Sequence, residues 1–294
     1  MNMLPTGVLP ASVTPFLDSG VVDHVGVAHL ISWFRAQGCA GIVLAGTNGE
    51  GPSLSAIEKR DLIKVAAPLA QGLPVVLGVA TSSLNEAAWS CESARKAGAS
   101  AALVMPPTYF REASEDGIAC WFEQLLRETT LPVLLYNIPQ RTGFTFSPDL
   151  VHRLCQHDGI AGIKDSSGNA ENLVSFSQAA AGKYRYVGDE RLLLDALAAG
   201  WSGTISGAAN ILAGWLAPIV SEWEEARTSA ETKFAYIKPA LEALKASPQP
   251  VANKWLLQKQ GVIESAAGRL PLFTLPESDG EALWELLGKF LPAD

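Results

Sequence analysis

A lysine closes one of the chain's apolar runs. Lys164 follows Ile160-Ala161-Gly162-Ile163 and precedes Asp165. At the end of a buried strand a primary amine is stripped of water, which disfavours its ammonium form and leaves a nucleophile. Such an amine condenses with a ketone, and the imine draws electrons so that a C–C bond at the neighbouring carbon can form or break. The plainer reading is a lysine that reaches solvent or pairs with Asp165.

Other residues with usable chemistry also follow apolar runs. Gly46-Thr47-Asn48-Gly49 sets two small polar side chains between glycines, where backbone N–H groups can converge on a carboxylate. The same composition suits an ordinary turn, and no GK[ST] ends it, so it is not a phosphate loop. Tyr136 and Tyr109 carry phenols that pass protons when a relay holds them and otherwise pack at a rim. Arg141 has the forked geometry that clamps a carboxylate, or else is a solvated loop charge. Asp189 and Glu190 could bind hydroxyls, but they stand where a helix begins, and acids favour that end of its dipole. All four histidines, His24, His29, His152 and His157, fall in outer helical stretches, so neither a histidine triad nor a histidine-bound metal is expected.

The elements that would carry these residues alternate. Eight short apolar runs, at 7–13, 41–45, 74–78, 101–105, 132–136, 160–164, 184–187 and 203–206, read as strands. They are continuously apolar, as in parallel strands covered on both faces. Stretches of helical spacing lie between them, with Asp23 and Ser83 as helix caps and a capping box at Ser55-Ala56-Ile57-Glu58. Single helices between single strands imply βα units, and eight of them predict an α/β fold of the (β/α)8 TIM-barrel type. A doubly wound sheet is the alternative, but no GxGxxG follows the first strand. After Ser206 come four helical stretches, 209–227, 228–245, 251–261 and 279–291, with Ser247-Pro248-Gln249-Pro250 as a helix-breaking linker. The expected organisation is a barrel over 1–227, its site at the C-terminal ends of the strands, and a C-terminal helical extension over 228–294.

Composition agrees with a large core. Hydrophobic residues make up 48% of the 294 residues and charged residues 18%. The net charge of -8 is a poor match for nucleic acid or an anionic membrane, so an anionic substrate needs a local positive patch. Cys39, Cys91, Cys120 and Cys155 show no CxxC spacing and are expected reduced and buried. The first ten residues lack a basic flank and an apolar stretch, so no signal peptide or membrane span is expected.

Three segments become specific in combination: GTNGE at 46–50, YNIPQRTG at 136–143 and GIKDSSG at 162–168, in that order at strand ends. Together they closely resemble the dihydrodipicolinate synthase / N-acetylneuraminate lyase family of class I pyruvate aldolases. The similarity runs from about Gly7 to the C-terminal helices.

The resemblance implies roles. Lys164 would be the Schiff-base lysine, Tyr136 the proton-transfer tyrosine, and Thr47 the link between Tyr136 and Tyr109 in a relay. Thr47 and Asn48 would cradle the pyruvate carboxylate, with Gly188 and Ile205 lining the pocket. In the family the residue matching Tyr109 often comes from a neighbouring subunit, which implies a homotetramer or homodimer. No separate cofactor is implied, and a cytoplasmic location is expected.

Arg141 matches the arginine with which the synthase branch binds the carboxylate of aspartate semialdehyde, which points to a lyase of lysine biosynthesis joining that aldehyde to pyruvate. Asn48 stands where that branch usually carries a second threonine and is more like the 4-hydroxy-2-oxoglutarate aldolases. The segment Gly51-Pro52-Ser53-Leu54-Ser55 resembles archaeal 2-keto-3-deoxygluconate aldolases. An aldolase or dehydratase on such substrates therefore stays open, as does, outside catalysis, a barrel that only binds an oxo acid.

Overall fold

A computed structural model describes residues 4–291. Residues 1–3 and 292–294, at the outer bounds of the two expected regions and within the stretch read for a signal peptide, lie outside it.

Eight strands form where the apolar runs placed them: β1 Gly7–Pro10, β2 Ile42–Leu44, β3 Val75–Val79, β4 Ala101–Val104, β5 Val133–Asn137, β6 Ile160–Asp165, β7 Tyr184–Val187 and β8 Gly203–Ser206. All ladders are parallel, in the order β1-β8-β7-β6-β5-β4-β3-β2. At the remaining seam Ala11 bridges Val43, and the Ser12 N–H donates to the Val43 carbonyl at 2.9 Å. The sheet is thus a nearly closed (β/α)8 barrel.

Continuous apolar strands serve two cores because successive side chains point to opposite faces. Leu9, Val43, Val76, Leu103, Leu134 and Ile205 fill the barrel interior, while their neighbours Val8, Ile42, Val75, Ala102 and Val133 meet the helices. Burying one such leucine or valine contributes about 1.5–3 kcal/mol.

The outer layer comprises α1 His24–Ala36, α2 Ala56–Leu69, α3 Leu84–Ala97, α4 Glu115–Glu128, the single turn α5 Pro139–Thr142, α6 Pro148–Cys155, α7 Glu171–Ala179, α8 Leu193–Ala198 and α9 Ala209–Ser221. The expected caps form: Asp23 accepts from the Val25 N–H at 3.0 Å, Ser83 from Glu86 at 3.3 Å, and Ser55 and Glu58 exchange both bonds of the capping box. His157 lies in the turn after α6, not on a helix as expected. Cys120 is a second correction. It is exposed, because α4 turns Ile118, Ala119, Phe122 and Leu125 to the core, while the other three cysteines are buried.

The extension is α10 Arg227–Ala246, α11 Val251–Lys259 and α12 Glu277–Leu287. It is tied back to the barrel by ion pairs of Lys254 with Glu50 and of Arg269 with Glu58. Among the described residues no helix is long and apolar enough to cross a membrane.

Candidate active site

On β6, Gly162 and Lys164 face the barrel interior, whereas Ile163 and Asp165 face outward. Lys164 is only 4% exposed. Its alternative partner is therefore on the wrong side of the strand. The Asp165 carboxylate accepts instead from Asn137 Nδ2 at 2.7 Å and from the Ser167 hydroxyl at 2.8 Å. Burial raises the pKa of Asp165 above the usual carboxylate value despite those bonds.

The β5–β6 register sets Tyr136 beside Lys164. Lys164 Nζ lies 3.3 Å from the Tyr136 hydroxyl and 4.4 Å from its ring centroid. The Thr47 hydroxyl is 3.4 Å from that phenol on its other side. Burial alone would raise the phenol's pKa, but the Lys164 charge and the hydroxyls of Thr47 and Ser166 outweigh it and leave it below the ordinary tyrosine value.

Thr47 and Asn48 sit in the turn after β2, where Glu50 adopts a left-handed backbone with φ 52°. The Glu50 carboxylate is fully buried, pairs with Lys254 and accepts the Arg269 N–H at 2.8 Å. Burial pushes Lys254 down to about 8 against the pull of Glu50.

Lys164, Tyr136, Thr47, Asn48, Arg141 and Gly188 line one cavity of about 580 Å³. Arg141 projects from α5, and among the described residues no carboxylate lies within ion-pair distance of it. Lys245 and Arg191 also line this space, but Asp189 on the same wall pairs with both, so the guanidinium of Arg141 supplies the local positive charge on an acidic chain. Gly188 leaves room for the amine: a Cβ there would come 1.9 Å from Ser166 Oγ and 2.8 Å from Lys164 Cε.

Two expected residues are not on that wall. Tyr109 is 82% exposed on the loop after β4, edge-on to Phe110 at 5.3 Å, and does not reach the cavity of its own chain. Ile205 is wholly buried in the inner cluster with Tyr136. Asp189 and Glu190 are used structurally, as their position at a helix start suggested. Asp189 caps that turn and pairs with Arg191 at 2.7 Å and Lys245 at 3.3 Å. Burial would raise its carboxyl, but these cations hold it at about 2. Glu190 accepts from the Ser206 hydroxyl at 2.5 Å and the Ala208 N–H at 3.1 Å.

Sequence reasoning missed Ser166, Gln249 and Lys245 on the cavity wall. Ser166 was findable, since strand alternation puts residue 166 on the face of Lys164. Gln249 lies inside the linker read only as a helix breaker.

A model of the dihydrodipicolinate synthetase family matches residues 4–289. This chain belongs to that family. The 4-hydroxy-tetrahydrodipicolinate synthase of Archaeoglobus fulgidus is 33% identical over 285 residues, covering 96% of each chain. The solved dihydrodipicolinate synthase of Acinetobacter baumannii, complexed with pyruvate, is 30% identical with a TM-score of 0.92 and covers 98% of this chain and 99% of that one. A solved monomeric variant of dihydrodipicolinate synthase is 25% identical with a TM-score of 0.91, covering 98% of this chain and 97% of that one. Family membership agrees with the resemblance read from the three motifs and with the barrel.

Proposed function

We propose that the chain is a Schiff-base-forming, pyruvate-dependent lyase, a 4-hydroxy-tetrahydrodipicolinate synthase that joins pyruvate to aspartate semialdehyde. The observation that carries this reading is the buried Lys164 amine, held 3.3 Å from the Tyr136 phenol in a cavity that also presents Thr47, Asn48 and Arg141.

The chemistry follows from the placement. The Lys164 amine adds to the ketone of pyruvate and water leaves, forming the imine. Tyr136 exchanges protons with the reacting oxygen, and the Thr47 hydroxyl passes them on. The turn at Thr47 and Asn48 holds the pyruvate carboxylate. Loss of a methyl proton gives an enamine whose carbon attacks the aldehyde. The amine of aspartate semialdehyde then attacks the imine carbon, closes the ring and frees Lys164. The imine is the electron sink, so no separate cofactor takes part. Arg141 binds the carboxylate of the aldehyde.

Tyr109 reaches the relay from a neighbouring copy in a homotetramer or homodimer. Its exposure beside Phe110 supports this, since two large aromatics rarely stand in water unpartnered. A cytoplasmic place in lysine biosynthesis fits this activity.

Asn48 favours a second reading, cleavage of 4-hydroxy-2-oxoglutarate or a 2-keto-3-deoxy sugar acid through the same imine. Turnover measured with pyruvate plus aspartate semialdehyde, against cleavage of those acids, separates the two. The first reading predicts the larger kcat/KM for the condensation; a larger value for either cleavage overturns it.

A further inference from the structure

A side-chain amide has one accepting and one donating end, so the way it points decides whether it receives or repels a carboxylate. Asn48 faces the cavity, and its orientation is set from outside the barrel. Asn253, on α11, is fully buried. Its Nδ2 donates to the Gly207 carbonyl at 3.1 Å and to Asn48 Oδ1 at 3.3 Å. Asn253 Oδ1 has no partner among the described residues, so these two donated bonds alone fix which way its amide faces. With its oxygen engaged, Asn48 turns its Nδ2 toward Gly207, which lines the cavity and whose added Cβ would come within 2.6 Å of that nitrogen. The next residue on the helix, Lys254, pairs with Glu50. One turn of α11 thus grips the cradle at both Asn48 and Glu50.

We propose that Asn253 is a positioning residue for 2-oxo-acid binding: it holds Asn48 with its NH2 group toward the substrate carboxylate. The proposal rests on the reading above, in which Thr47 and Asn48 receive that carboxylate. Its chemistry is specific to an acid, since a neutral ketone gains nothing from that donor.

The test is borohydride trapping across a range of pyruvate concentrations, with the wild-type chain, Asn253→Val and Asn253→Asp, each also in an Asn48→Thr background. Asn253→Val is expected to raise the half-saturating pyruvate concentration about 10- to 100-fold, the worth of one hydrogen bond to a charged group, while the adduct at saturation stays complete. Asn253→Asp is expected to raise it further, because its carboxylate accepts from the Asn48 NH2 group and turns the amide oxygen to the cavity. With Asn48→Thr there is no amide to orient, so Asn253→Val has no further effect and Asn253→Asp keeps only the smaller through-space repulsion of its charge. Asn253→Asp is isosteric and gives the same comparison if Asn253→Val does not fold. Unchanged half-saturation in a folded variant, or equal losses in both backgrounds, overturns the positioning role alone. No adduct in the wild-type chain overturns the imine reading with it.

Discussion

The Lys164 amine and the Tyr136 hydroxyl stand 3.3 Å apart on adjacent parallel strands, paired in register and both sealed from solvent. In the proposed mechanism that one contact joins the nucleophile to the proton carrier, and the Thr47 hydroxyl at 3.4 Å extends it toward the turn after β2.

Tyr136→Phe removes only the hydroxyl. Turnover is expected to fall about 10²–10⁴-fold, the usual contribution of a general acid/base group, with the fold intact by circular dichroism. An unchanged kcat would take Tyr136 out of the proton path.

Gly188→Ala tests the room around the amine. The added carbon would press on Ser166 Oγ from 1.9 Å and on Lys164 Cε from 2.8 Å. Adduct formation with pyruvate is expected to slow by about 100-fold, the scale of a misplaced reacting group. Melting temperature should fall by only a few degrees, since overpacking costs about 1–3 kcal/mol. Wild-type trapping rates in this variant would mean that Lys164 does not need the space.

Arg141→Ala is expected to raise the KM for the anionic aldehyde about 10- to 100-fold. The half-saturating pyruvate concentration for adduct formation should hardly move. Equal losses on both substrates would make Arg141 a support for its turn, not a binding group.

Acid stability probes the extension. Arg269 holds Glu58 at about 2, below its ordinary 4.5. A carboxyl depressed on folding adds stability above its unfolded pKa and loses it as pH falls through the folded one. The melting temperature is therefore expected to drop between pH 4.5 and about 2, and Glu58→Gln to flatten that drop. Equal slopes in both proteins would show that the Arg269–Glu58 pair contributes nothing.

Much of this was legible in the sequence. Apart from β1, which ends at Pro10 and not at 13, each strand falls within one residue of its apolar run, because parallel strands buried on both faces cannot hide in alternation. Lys164, Tyr136 and Thr47 were findable as polar residues ending such runs. Where Tyr109 points was not legible, because an exposed loop carries no periodicity to aim it; its exposure fits the expectation that this residue serves a neighbouring copy. Asn253 was invisible: its partner Asn48 is 205 positions away, and nothing local in a helical stretch announces a contact of that range. The linker at 247–250 also sets Gln249 on the cavity wall, a use that its helix-breaking prolines do not signal.

Mass spectrometry of the intact chain after incubation with pyruvate and borohydride tests the imine most directly. One pyruvate-derived adduct per chain is expected, mapped to Lys164 and lost in a folded Lys164→Ala variant. No mass gain in the wild-type chain, or a full adduct that persists in Lys164→Ala, would contradict it.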